Sequence, residues 1–174
     1  MLIETPTHVY FWERDSIYSN WYTPCNITLP STDEDEIPRY FENSEALMMW
    51  LKATFFGDKE VADRIYWLQE PKGVRDLGRL VKGFDEETWK SVREEIMYET
   101  CYAKFSQNDH MKASLLLTGD KILVEASPYD KVWGVGLAPN DPLVLDEKNW
   151  KGLNLLGKAL MRVRAKLLEE LLAS

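Results

Sequence analysis

A chain of 174 residues is long enough for one hydrophobic core and short for two, because domains usually hold roughly 100–200 residues; a single domain over 1–174 is expected. Apolar residues at 45% can offset chain entropy by burial, which argues against disorder, and a net charge of −8 opposes indiscriminate attraction to nucleic acid. Two cysteines, Cys25 and Cys101, without a CxxC spacing, and two isolated histidines, His8 and His110, argue against a zinc site, a disulfide framework and a Ser-His-Asp triad; no metal or cofactor is expected.

The first residues, MLIETPTHVYFWERD, carry acids early and lack an apolar run of signal-peptide length. No stretch approaches the roughly 18 apolar residues of a membrane-crossing helix, so no membrane partner and a cytoplasmic location are expected. Residues 8–12 (HVYFW) read as a short strand, and Asn26–Leu29 as a second. The acidic run ending in Ile37-Pro38 reads as a loop insertion over 31–38.

From Asn43 or Ser44, either of which can cap, a helix is expected through Phe55, with Glu45 in the first turn and Gly57 as the break. A second helix covers Lys59–Leu68 and stops before Pro71; a third covers about Val74–Val81 before Gly83. Asp85 caps a longer helix whose Trp89, Val92, Ile96, Thr100 and Ala103 recur at spacings of three and four. A short helix follows over Asp109–Leu117, then a strand at Lys121–Glu125, an irregular segment over Ala126–Pro142, and an amphipathic helix over Leu153–Leu172.

Three places break this pattern of core and surface. Glu45 and Lys52 are seven residues apart, so they share a helix face about 10 Å apart along the axis, where long side chains can converge on one ligand. Their bland reading is an unconnected surface acid and base. Glu125-Ala-Ser-Pro-Tyr-Asp130-Lys-Val-Trp133-Gly-Val-Gly136 carries a strand into a loop with an acid, a tryptophan and two glycines, which suits close approach of a flat base or an ordinary tight turn. Asn154 and Gly157 open the last helix, where unpaired N–H groups beside Lys151 and Lys158 can receive phosphate or be capped.

The ordered blocks SNWY, NSEALMMWLKA, LGRLVKGFDEETWKSVREEIM, KFSQND, LLLTGDKILVEASPYDKVWGVGL and NLLGKALMRVR closely resemble the NADAR superfamily, also known as the YbiA-like proteins, from about Tyr10 to Arg164. The stretch Asp33–Glu36 looks like an addition to the family pattern. The resemblance implies a compact, helix-rich α+β domain that hydrolyses N-linked ribosyl groups. Its substrate contains ADP-ribose or ribose phosphate: ADP-ribose linked to guanine in DNA or RNA first, a ribosylamino-pyrimidine of riboflavin biosynthesis second. A non-catalytic module that binds ADP-ribose or an NAD derivative is the reading from another class.

The family positions carried over are Asn20, Glu45, Lys52, Arg79, Trp89, Lys104, Gln107, Glu125, Asp130, Trp133, Gly134, Gly136 and Asn154. Cleavage of a ribosyl–nitrogen bond needs charge stabilisation at C1′, help for the leaving base and delivery of water. On that chemistry Glu45 is expected as the principal acid/base group and Asp130 as the group that orients water or the ribose hydroxyls. Lys52 offers a variant in which its amine attacks the opened sugar to give an imine. Trp89 and Trp133 are expected to stack the base or adenine, Arg79 and Lys104 to meet phosphate, and Asn20, Gln107 and Asn154 to supply hydrogen bonds. The sequence leaves the oligomeric state open.

Overall fold

The computed structural model of the chain describes residues 1–30 and 37–173, so the acidic run expected to form an insertion lies almost wholly outside the described residues. The order of elements is β1 (Leu2–Glu4), β2 (His8–Phe11), β3 (Ile27–Leu29), β4 (Arg39–Phe41), α1 (Ser44–Phe55), α2 (Lys59–Leu68), α3 (Pro71–Gly78), α4 (Glu86–Ser106), α5 (Asp109–Leu117), β5 (Ile122–Glu125) and α6 (Leu155–Ala173). Two short 3-10 turns, Pro142–Leu145 and Glu147–Asn149, precede α6. This is the helix-rich α+β composition that the sequence implies. The elements form two compact units: a central one, Thr23–Asn108, and a terminal one made of Met1–Tyr22 with Asp109–Ser174.

The central unit is built around α1, which packs against α2, α3, α4 and β4. Its first six residues, Ser44 to Met49, are all buried, so this helix shows no single apolar stripe. Asn43 starts it from extended backbone: its Oδ1 accepts from Ala46 N at 2.8 Å, and its Nδ2 donates to the Gln69 carbonyl at 2.7 Å. Asp58 caps α2 in the same manner, taking Val61 N on one oxygen and, on the other, the N–H of Lys82 at 2.8 Å. That second bond ties the turn after α3 to the start of α2.

The third helix starts and ends earlier than expected. The second helix stops at Leu68 as expected, and Pro71 then opens the third, because its fixed φ suits a first helical position and its missing N–H costs nothing there; the Glu70 carboxylate accepts from Lys72 N and Gly73 N. The chain leaves the helix at Gly78 through two four-residue turns, Arg79 N to Asp76 O and Leu80 N to Leu77 O. In α4 the buried face holds Trp89, Ile96, Met97, Thr100, Cys101, Lys104 and Phe105, so it is rotated away from the expected Val92 and Ala103, which are only half buried. Beside it β3 and β4 form an antiparallel pair with Ile27 opposite Phe41.

In the terminal unit β2 lies between β1, antiparallel to it, and β5, parallel to it, with Phe11 opposite Glu125. Leu156, Leu160, Val163 and Leu167 of α6 are buried, and α6 packs against β5. The approach is close enough that a Cβ on Gly157 would lie 2.1 Å from the Leu123 carbonyl oxygen. Asn154, at φ 53°, completes the junction: its Oδ1 accepts from Glu125 N at 3.1 Å and its Nδ2 donates to Leu123 O at 2.9 Å. One side chain thereby serves the edge of β5 as a neighbouring strand would. Among the described residues, no helix is long and apolar enough to cross a membrane.

Two stability outcomes follow from these junctions. Gly157→Ala is expected to cost about 1–3 kcal/mol, the usual penalty for overpacking, seen as a lower Tm in calorimetry; an unchanged Tm would contradict the helix–strand contact. Asn43→Ala removes a cap and a tertiary hydrogen bond at once, and a loss of about 2 kcal/mol is expected in urea unfolding.

Candidate active site

Lys52 sits in the last turn of α1, where a cation ordinarily satisfies the helix end and points to water. Here its Nζ instead donates to the Gly78 carbonyl at 2.8 Å, across to the end of α3. The amine lies 4.3 Å from the centre of the Phe84 ring and 5.3 Å from that of Trp89. Half-buried between two rings, it is pushed below the usual lysine range by loss of water, against which the carboxylates of Glu86 and Glu45 pull it back up. A lysine with fewer protons than its exposed counterparts is a potential nucleophile or base.

Glu45, in the first turn of α1, is 6% exposed. Its position in the first turn lets the helix dipole favour the carboxylate, and its charge reaches Lys52. Trp89 is 8% exposed, and its ring frames the amine; the open face needed for stacking a base is more available on Trp133, which is half-buried in the terminal unit.

The other expected residues of the central unit divide by surroundings. Arg79 is 69% exposed and reaches only a long contact of 3.5 Å to Asp76, so it faces solvent as a phosphate contact would. Lys104, expected to meet phosphate, is 1% exposed and lies in the core near Cys25, Cys101 and the Phe105 ring, where burial pushes it down while the two thiols oppose that. The same burial pushes the Cys101 thiol up to about 12. Gln107 gives both amide atoms to β3, accepting from Thr28 N at 2.8 Å and donating to Thr28 O at 3.0 Å, so it closes a strand edge.

In the terminal unit the glycine loop after β5 is knotted onto itself. Asp130 Oδ1 accepts from Val132 N and Trp133 N, both at 2.8 Å, and its carbonyl accepts from Gly136 N. Gly134 is packed so tightly that a Cβ would meet the Glu125 carbonyl oxygen at 2.7 Å, and Gly136 holds φ at 70°. Glu125 is buried at the strand end, and Asn20 is buried in the segment after β2. The glycines thus serve packing within the loop, and one Asp130 oxygen holds the turn that presents Trp133.

At the start of α6 capping is the alternative that the structure takes. Leu153 N, Asn154 N, Leu155 N and Leu156 N donate to the carbonyls of Lys131, Gly134, Val132 and Trp133, so the loop itself caps the helix. Phe84 and the Gly78 carbonyl were not legible as site groups, because their partner is more than twenty residues away; the one local signal is Gly83-Phe84 just before the Asp85 cap.

A family model described as the NADAR domain matches residues 10–168. Among similar proteins, N-glycosidase R617 of Acanthamoeba polyphaga mimivirus is 36% identical over 168 residues, covering 93% of this chain and 97% of that protein. The chloroplastic riboflavin biosynthesis protein PYRR of Zea mays is 30% identical over 172 residues, covering 94% of this chain and 25% of that longer protein. The NMR structure of the E. coli protein YbiA superposes with a TM-score of 0.74 at 26% identity, covering 99% of this chain and 91% of that one. With a family model over most of its length and a fold neighbour over nearly all of it, the chain belongs to the NADAR family.

Proposed function

We propose that the chain hydrolyses the N-glycosyl bond between a phosphorylated ribose and a nitrogenous base, with Lys52 as nucleophile and Glu45 as acid/base group. The observation that carries this reading is the Lys52 amine, partly withdrawn from water between Phe84 and Trp89 and lowered below the usual lysine range. The N-glycosidase name of the viral relative supports the reaction class. Because one family model spans both units, residues 1–174 are treated as one functional domain. Two buried free thiols, Cys25 and Cys101, fit a reducing compartment such as the cytosol.

The proton that leaves the Lys52 ammonium passes through Glu45 to the ribose ring oxygen as the C1′–O4′ bond breaks, and the lone pair of the base nitrogen forms a C1′=N double bond. The neutral Lys52 amine adds to C1′. A proton passes from its nitrogen to the departing one, the C1′–base bond breaks, and the base leaves as an amine. Water, deprotonated by Glu45, then adds to the Lys52 imine at C1′; collapse returns the lysine amine and the sugar aldehyde, which closes again. One water is consumed for each bond cleaved.

This route suits a nitrogen outside the base ring, as in a ribosylamino group or an amino-linked guanine. Guanine-linked ADP-ribose in nucleic acid is the first substrate proposed, and the exposed guanidinium of Arg79 suits its phosphates. A riboflavin-pathway ribosylamino-pyrimidine is the second, supported by the name of the plant relative. The roles the family resemblance gives to Trp133, Asn20 and Glu125, in stacking and hydrogen bonding, are retained as part of the proposal. Asp130 is retained as the group that positions Trp133, with its second oxygen available to the sugar hydroxyls.

Mass-spectrometric assays that offer ADP-ribosylated DNA and a ribosylamino-pyrimidine phosphate in parallel test this reading. Glu45→Gln is expected to lower turnover about 10²–10⁴-fold while ligand affinity persists; no release from either substrate by the wild type would favour a binding module. Lys52→Met is expected to abolish turnover without lowering Tm, since it removes an amine held partly out of water, whereas a large loss of Tm would mark Lys52 as structural. If the substrate is nucleic acid, activity falls steeply with added salt through lost phosphate contacts; a free metabolite shows a much weaker dependence.

A further inference from the structure

The walls around Lys52 are not equivalent. Trp89 is 8% exposed and belongs to the core, whereas Phe84 is 40% exposed and stands closer to the amine, with its ring centre 4.3 Å from Nζ. Phe84 is therefore the wall on the solvent side. Its position is fixed by contacts of the same residues that cap α2 and α4. The Asp58 carboxylate holds Lys82 N, Gly83 turns the backbone at φ 73°, and Asp85 caps α4, leaving Phe84 between two anchored points. On its far side the ring packs against Phe56 with centroids 5.4 Å apart, and Phe56 packs edge-on against Phe55 at 5.1 Å.

We propose that Phe84 is a positioning residue for the reaction: its ring caps the Lys52 amine on the solvent side and keeps water from it. The inference rests on the reading of Lys52 as the reacting amine. Two opposed effects of the ring decide its direction. The π face attracts an ammonium ion and favours the protonated form, while the bulk of the ring removes water and disfavours it. The charged groups that reach Lys52 are Glu86 on α4 and Glu45 on its own helix, and both favour the protonated form. Burial outweighs them, so exclusion of water is the larger contribution, and Phe84 is the part of that exclusion nearest solvent.

The test separates bulk from ring. Protein labelled with ¹³C at lysine Cε is titrated by NMR, with the Lys52 signal assigned by its loss in Lys52→Met. Phe84→Ala admits water, and the Lys52 midpoint is expected to rise toward those of the exposed lysines; Phe84→Leu keeps apolar bulk without the ring, and the midpoint stays near that of the wild type. Phe84→Gln, polar and of similar reach, is a second opening variant with the same expected rise should the alanine variant not fold. In parallel, the lower limb of the pH–turnover profile shifts to higher pH in Phe84→Ala, with the rate recovered at high pH. An unchanged midpoint in both opening variants, or a rise in Phe84→Leu equal to theirs, would overturn the proposal. The titration needs no substrate, so a midpoint that depends on Phe84 in a protein without turnover supports the cap and sinks the glycosidase reading alone.

Discussion

The hydrogen bond from Lys52 Nζ to the Gly78 carbonyl is the constraint on which the central unit's chemistry depends. It draws a helix-end cation away from water and across to the end of α3, where Phe84 and Trp89 lie within reach of it. A charged amine in such a place loses hydration that one carbonyl and two ring faces replace only in part, so the neutral form gains relative to the charged one. Much of the surrounding architecture keeps this arrangement in place. Asn43 fixes the start of α1 against the end of α2, Asp58 ties the start of α2 to the turn after α3, and Gly78 lies against Met49, with no room for a Cβ. A small part of the unit's stability is thereby given up for a reactive group, as is common where function needs a poorly solvated charge.

The terminal unit depends on a different junction, in which one asparagine serves strand, loop and helix. Asn154 bonds both the N–H of Glu125 and the carbonyl of Leu123, and its own N–H donates to Gly134. The consequence is a rigid loop from Glu125 to Gly136 whose carbonyls cap α6 and whose glycines are consumed by packing. Loops held this firmly can present a side chain such as Trp133 with little loss of entropy on binding. The N–H groups of Leu153 to Leu156, already bonded to loop carbonyls, show why a helix N-terminus read from sequence is not by itself an anion site: the tertiary structure can supply its partners first.

Local chemistry made most of the fold legible. Asn43, Asp58 and Asp85 are caps whose side chains act within three residues, so the starts of α1, α2 and α4 could be read directly. Pro71 was read only as following the end of α2, which it does; that it also opens α3 was hidden because the capping role of Glu70 acts through its side-chain geometry. The strands β1 and β4 are three residues long, too short for a period to register, and exist through their partners. At the site, Glu45, Lys52 and Trp89 were marked by family resemblance, and spacing gave only the shared face of the first two. Phe84 was invisible because its contact with Lys52 is set by the packing of α1, α3 and α4, and the burial of Lys104 was not legible because its sequence neighbours do not reveal that its face of α4 is buried.

The most direct measurement is borohydride reduction of the wild-type protein during turnover, followed by peptide mapping. The account predicts a ribosyl-derived mass added at Lys52 alone, present only when substrate and reductant are supplied together. Turnover that proceeds normally with no adduct at Lys52 would contradict it, and would leave hydrolysis to direct attack of water assisted by Glu45.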